Sequence, residues 1–85
     1  MMTQITFMLI NVEPGMDEKI LEELRKVENV KEAWFIYGVY DFIIKLEAET
    51  EEEIKETITE KIRRLEGVRN TLTLLPIKGF TKKSM

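Results

Sequence analysis

Hydrophobic residues along this chain follow two alternating rhythms. In four runs they come at nearly every position or every second one: Gln4 to Val12, Val30 to Tyr37, Tyr40 to Glu47 and Val68 to Leu75. These runs are rich in β-branched, aromatic and aliphatic side chains, a composition that predicts strands. Between the first and second runs, and again between the third and fourth, the spacing widens. Met16, Ile20, Leu24 and Val27 form one set, and Ile54, Ile58, Ile62 and Leu65 the other. An i, i+4, i+8, i+11 pattern makes one apolar stripe per helix. The first helix is predicted from about Met16 to Glu28, entered through Pro14-Gly15, and the second from about Glu51 to Glu66. Thr50 with Glu53 fits a capping box at the second start. The remaining helix positions, among them Glu18, Glu22, Glu52 and Glu56, are charged and read as solvated surface.

The two halves repeat. Leu24-Arg25-Lys26-Val27-Glu28-Asn29-Val30-Lys31 aligns with Ile62-Arg63-Arg64-Leu65-Glu66-Gly67-Val68-Arg69, an offset of 38 residues between Leu24 and Ile62. Every pair is identical or similar except Asn29 and Gly67. Both residue types tolerate the left-handed conformation just past a helix end, so both segments read as a helix stopping and a strand starting. The order is therefore β-α-β-β-α-β. Only Gly38-Val39 separates strands two and three, and Gly-X is the sequence of a two-residue type II′ hairpin. The expected class is α+β: a ferredoxin-like fold, with a four-stranded antiparallel sheet and both helices on one face. One domain is expected over residues 1–77. A tail is expected at 78–85, where Pro76, Gly79 and Thr81-Lys82-Lys83-Ser84 lead away from the sheet.

Two helices cover only one face, yet the strands are apolar on both. Ile5, Phe7 and Leu9 alternate with Met8, Ile10 and Val12; Trp34 and Ile36 alternate with Ala33, Phe35 and Tyr37; Ile43 lies opposite Phe42 and Ile44. A strand wetted on one side would alternate with polar residues. The second face is thus expected to dimerise, sheet against sheet, with Phe7, Trp34, Phe35 and Ile43 in the interface.

Composition supports that expectation. A chain of 85 residues builds one small domain, and domains of this size often gain stability from disulfides, metals or assembly. There is no Cys and no His, which excludes disulfides, thiolate or imidazole metal sites and Cys- or His-based catalysis. Assembly remains. The net charge of −3 comes from 16 acidic and 13 basic residues spread along the chain, so no basic footprint marks direct nucleic-acid binding. No basic leader precedes the first strand, and the apolar run Phe7 to Ile10 is far too short to span a membrane. A cytoplasmic protein is expected, with a Glu- and Lys-rich composition of the kind seen in thermophiles. No P-loop or GxGxxG is present, and no cofactor, metal or catalytic residue is expected.

Two places invite a ligand. Asp41 follows the hairpin glycine in Tyr37-Gly38-Val39-Tyr40-Asp41. A carboxylate among apolar strand residues needs a partner, either a cationic group such as an α-ammonium or nearby backbone N–H groups. On the fourth strand Thr71 and Thr73 point to one face. They are either hydroxyl donors for a carboxylate or simply β-formers on an edge strand.

From Ile5 to Leu75 the chain resembles the effector-binding domain, or RAM domain, of the leucine-responsive regulator/AsnC family. The resemblance rests on Asn11-Val12-Glu13-Pro14-Gly15, Val30-Lys31-Glu32-Ala33, Gly38-Val39-Tyr40-Asp41 and Glu66-Gly67-Val68-Arg69 followed by Thr71 and Thr73. It implies dimers formed through the sheets, further assembly into rings of dimers that are often octamers, and amino-acid effectors bound between dimers. Carried over by position, Gly38, Tyr40, Asp41, Thr71 and Thr73 match ligand-contacting sites, and Val39 stands in the same stretch where many relatives carry a polar or acidic residue. Asp41 would pair with the α-ammonium while backbone N–H groups near Gly38 and the Thr hydroxyls take the α-carboxylate. Full-length members carry an N-terminal helix-turn-helix domain, for which this chain has no room, so it looks like a stand-alone member that associates with full-length regulators. Two other functions are weighed. One is a purely structural subunit of mixed oligomers; the other is a small ferredoxin-like enzyme using Trp34, Tyr37 and Tyr40, aromatics that packing explains better.

Overall fold

In β1 (Gln4–Val12) the even positions Thr6, Met8, Ile10 and Val12 are buried and the odd ones are not. That alternation sets one side of the strand against the helices. The computed structural model, which describes residues 3–82, continues with α1 (Asp17–Arg25), β2 (Val30–Phe35) and β3 (Phe42–Ala48). Then come α2 (Glu51–Glu56), extended by a π-helical segment (Thr57–Ile62), and β4 (Val68–Leu74). The sheet order is β2-β3-β1-β4 and every pairing is antiparallel. This is the expected ferredoxin-like α+β arrangement, with β1 and β3 inside and β2 and β4 at the edges.

The core lies between the helices and one face of the sheet. Ile20 and Leu24 from α1, with Ile54, Ile58 and Ile62 from the second helix, pack against Met8, Ile10, Phe42, Ile44 and Leu46. The π-helical segment has a visible reason in the sequence. An α-helix turns every 3.6 residues, so apolar side chains spaced by four drift about 40° per step around it. A wider turn brings Ile58 and Ile62 back under Ile54, and the Arg63 N–H reaches the Ile58 carbonyl at 2.9 Å, five residues back. At the helix start the Thr50 hydroxyl accepts the Glu53 N–H at 3.1 Å and donates to the Glu53 carboxylate at 3.2 Å. Glu53 thus answers the hydroxyl rather than the Thr50 backbone, a variant of the capping box.

A helix stops and a strand starts at both places, β2 at Val30 and β4 at Val68, but Asn29 does not share the left-handed backbone of Gly67, whose φ is +100°. Instead the Asn29 side chain donates to the Thr57 hydroxyl at 2.8 Å, and its carbonyl accepts the Glu47 N–H at 2.9 Å. Those tertiary bonds hold the first exit in ordinary backbone geometry. At the second exit the positive φ favours glycine, and a Cβ on Gly67, 2.8 Å from Met16 Cε, would also make the Met16 side chain shift.

The expected type II′ hairpin is absent. β2 ends at Phe35, β3 starts at Phe42, and Gly38 does not have the positive φ that turn demands. A longer loop is closed by Ile36 N–H to the Asp41 carbonyl at 2.8 Å. Tyr37, Gly38 and Val39 are exposed at its tip, where no packing holds them in a tight turn. Beyond β4, residues 75–82 have no regular structure and expose Leu75, Ile77 and Phe80; the expected tail residues Lys83 and Ser84 lie outside the described residues. No helix among the described residues is long and apolar enough to cross a membrane.

Candidate functional site

Asp41 sits where β3 enters the sheet. Its N–H donates to the Ile10 carbonyl at 3.0 Å, and its Oδ2 accepts the Val12 N–H at 2.8 Å. The β1–β4 register shifts between Asn11 and Val12. A shift leaves ladder groups without their regular partners, and the Asp41 carboxylate supplies one. The backbone-bonding role weighed for Asp41 is therefore present, through a residue distant in sequence. Gly38 and Val39 stand exposed before it and Tyr40 is half-buried.

Thr71 and Thr73 lie opposite Ile10 and Met8, on the helix side of edge strand β4. Both are half-buried. Arg63, just past the π-helical segment, donates from Nε to the Thr71 hydroxyl at 3.2 Å. Thr73 opens onto a groove of about 700 Å³ between the second helix and β4, where Lys55, Thr59 and Arg63 stand over an apolar floor of Ile54 and Ile58. Residues Gly38 to Asp41 do not line this groove. One protomer thus keeps the two halves of the expected site apart, with β1 between the end of β3 and β4.

Among the described residues no helix covers the opposite face of the sheet. Phe7, Trp34 and Ile43 lie on it together, joined by Ile5, Leu9, Leu72 and Leu74. Phe35 does not. It pairs with the core residue Phe42, their ring centroids 5.2 Å apart, which puts it on the helix side at the sheet edge. As neighbours in a strand point to opposite faces, Phe35 stands exposed at the sheet edge rather than beside Phe7. Two residues escaped the sequence reading. Arg63 hid inside the helical repeat, and Lys45 hid in an apolar strand, although it shares the odd positions of β3 with Ile43.

Sheet order and helix placement put the chain in the ferredoxin-like α+β class. Residues 5–84 match the family model of the Lrp/AsnC ligand binding domain, and the chain belongs to that family. An HTH-type transcriptional regulator of Pyrococcus furiosus is 32% identical over 72 residues, which cover 81% of this chain and 48% of the regulator. The chain spans about half the length of the curated regulators it matches. The solved structure of FFRP-DM1 superposes with a TM-score of 0.83 at 35% identity, covering 87% of this chain and 99% of that one. A transcriptional regulator of Neisseria meningitidis, solved as its L-Met complex, shares the fold at a TM-score of 0.84 and 13% identity, over 95% of this chain and 54% of that one. A segment of homocitrate synthase from Saccharolobus islandicus is 39% identical over 59 residues, 69% of this chain but only 13% of the enzyme. The Pyrococcus relatives are HTH-type transcriptional regulators, and the Neisseria neighbour is a transcriptional regulator as well.

Proposed function

We propose that this chain is an amino-acid-sensing and self-association module that acts in the cytoplasm on related transcriptional regulators. The observation that carries the reading is the family match over residues 5–84 together with a sheet face that stays bare and apolar in one protomer. Two copies pack through that face, and dimers assemble further into rings, with eight chains as the expected size. The L-Met complex of the Neisseria regulator supports an amino acid as effector. The charge-rich composition and the Pyrococcus relative support a thermophilic setting.

Separation of the two half-sites gives the mechanism. Gly38, Val39, Tyr40 and Asp41 from one protomer meet Thr71 and Thr73 from another only when dimers come together. A ligand bound at that junction stabilises the assembled state by its binding free energy, and assembly raises ligand affinity by the same factor. Asp41 offers its carboxylate to the α-ammonium while Oδ2 still holds the Val12 N–H. The Thr hydroxyls take the α-carboxylate. Occupancy then biases how the module pairs with full-length regulators of its family.

Calorimetric titration of each of the twenty amino acids tests this, with Asp41→Asn as the informative variant. Asparagine keeps an acceptor for Val12 and removes the charge. Binding of at least one amino acid, weakened about tenfold or more in the variant, is expected for a lost charge-assisted bond. Equal affinity in both proteins sinks the assignment of Asp41. A second reading draws on the same hydrogen bond: Asp41 already has a structural task, so the chain would assemble without a ligand and serve as a structural subunit of mixed oligomers. Absence of heat with every amino acid, in a chain that still dimerises, selects that reading.

A further inference from the structure

The bare face has a charge at its centre. β1 and β3 are the inner strands, and the middle of their bare side is made by Phe7 opposite Lys45 and Leu9 opposite Ile43. Three of these four are apolar and the fourth is a lysine. Lys45 does not extend into solvent. Its side chain is 23% exposed, and its Nζ lies 3.3 Å from Glu47 Oε2 and 3.8 Å from Glu32 Oε2. Glu32 uses its other oxygen to accept the Trp34 Nε1–H at 3.2 Å. The cluster therefore reaches from the centre of the face to edge strand β2, where Glu32 is the cross-strand partner of Lys45.

We propose that the Lys45–Glu32–Glu47 cluster sets the register in which a second copy of this chain seats on the bare face. The inference rests on the reading that two sheets pack together, and it adds what decides their alignment. Any sheet that covers Phe7, Leu9 and Ile43 also covers Lys45, because Lys45 stands among them. Covering removes water from one ammonium and two carboxylates, which is unfavourable unless each keeps or gains a partner. A purely apolar partner supplies neither a donor nor an acceptor.

A second copy brings both signs. In a two-fold contact the same patch faces itself, so residue i meets j and j meets i. Each ammonium carries three N–H donors, so beside its own two carboxylates it has one left for a carboxylate of its mate, and two ammoniums are shared among four carboxylates. An alignment that keeps the two clusters apart leaves each facing apolar side chains that offer its charges no partner. Such a cluster adds little to affinity against an apolar replacement, but it penalises wrong registers and wrong partners.

The test uses the full chain, with sedimentation velocity for the dimer Kd and the emission of Trp34, the single tryptophan, for burial of the face. Lys45→Glu is expected to raise Kd at least about 100-fold, since it leaves three carboxylates together. The double variant Glu32→Lys/Glu47→Lys is expected to self-associate as poorly. Mixed one to one, the two variant chains are expected to recover a heterodimer by native mass spectrometry. Should Lys45→Glu fail to fold by circular dichroism, Lys45→Met carries the question. It is expected to dimerise at least as tightly as wild type but in more than one register, with doubled amide resonances from the face. A wild-type dimer whose Kd and Trp34 emission are unchanged in Lys45→Glu, or a Lys45→Met dimer with one set of resonances, overturns the role of the cluster and leaves the dimer standing. A wild-type chain that sediments as a monomer at micromolar concentration overturns both.

Discussion

On the helix side of the sheet Met8, Ile10, Phe42, Ile44 and Leu46 are at most 1% exposed, while on the other side Ile5, Trp34, Leu72 and Leu74 keep between 39% and 62% of their exposure. Hydrophobicity does not separate the two sets. Helices do: both amphipathic stripes, Ile20 and Leu24 from α1 and Ile54, Ile58 and Ile62 from the second helix, are spent on the first face. The lesson is that the same apolar pattern builds a core where the chain supplies its own cover and an unfinished surface where it does not. A lysine held by two carboxylates is affordable only on the unfinished side.

The largest effect should come from thinning the covered face. Phe42→Ala is expected to cost about 3–5 kcal/mol in urea unfolding, because Phe42 is fully buried and its loss leaves a cavity. Leu9→Ala on the bare face should cost the monomer about 1 kcal/mol or less while weakening self-association. Equal losses in dilute solution would erase the difference between the faces. A smaller effect probes how the second helix is returned to the covered side. Gly67→Ala should destabilise by about 1–3 kcal/mol, given the positive φ and the approach of Met16. Asn29→Gly should also destabilise, through loss of the Thr57 bond rather than through backbone strain. A stabilised Asn29→Gly variant would show that the two exits work alike after all. The smallest is the cap of the helix that lies over this face. Thr50→Ala should lower the thermal midpoint by an amount equivalent to about 1 kcal/mol, with no change in association.

Much of the fold was legible because periodicity is local. The strand β1 is found where the alternation places it, at Gln4–Val12, and the offset between Leu24 and Ile62 reports two β-α-β units. Legibility failed where a distant residue decides the local shape. Asn29 looks like the equivalent of Gly67, but Thr57 and Glu47, far along the chain, hold it in another conformation. Gly38-Val39 carries a hairpin signal, yet Asp41 is tied to Ile10 and Val12 of β1, and the turn opens into a loop. Of the candidate site, the shared face of Thr71 and Thr73 could be read from strand alternation. Arg63 beside Thr71 could not, because the path of the chain between helix and strand is not a property of spacing.

The sequence by itself determined the number and order of elements, the two helical stripes and the presence of more apolar strand surface than two helices can hide. Hydrophobic period and helix-start chemistry act over a few residues, so a linear pattern suffices for them. Only the tertiary structure decided which residues of different strands share a face, that Phe35 falls on the helix side against Phe42, and that Lys45 stands at the centre of the bare face. Those outcomes depend on strand register, and register is set by contacts between positions that are neighbours only in space.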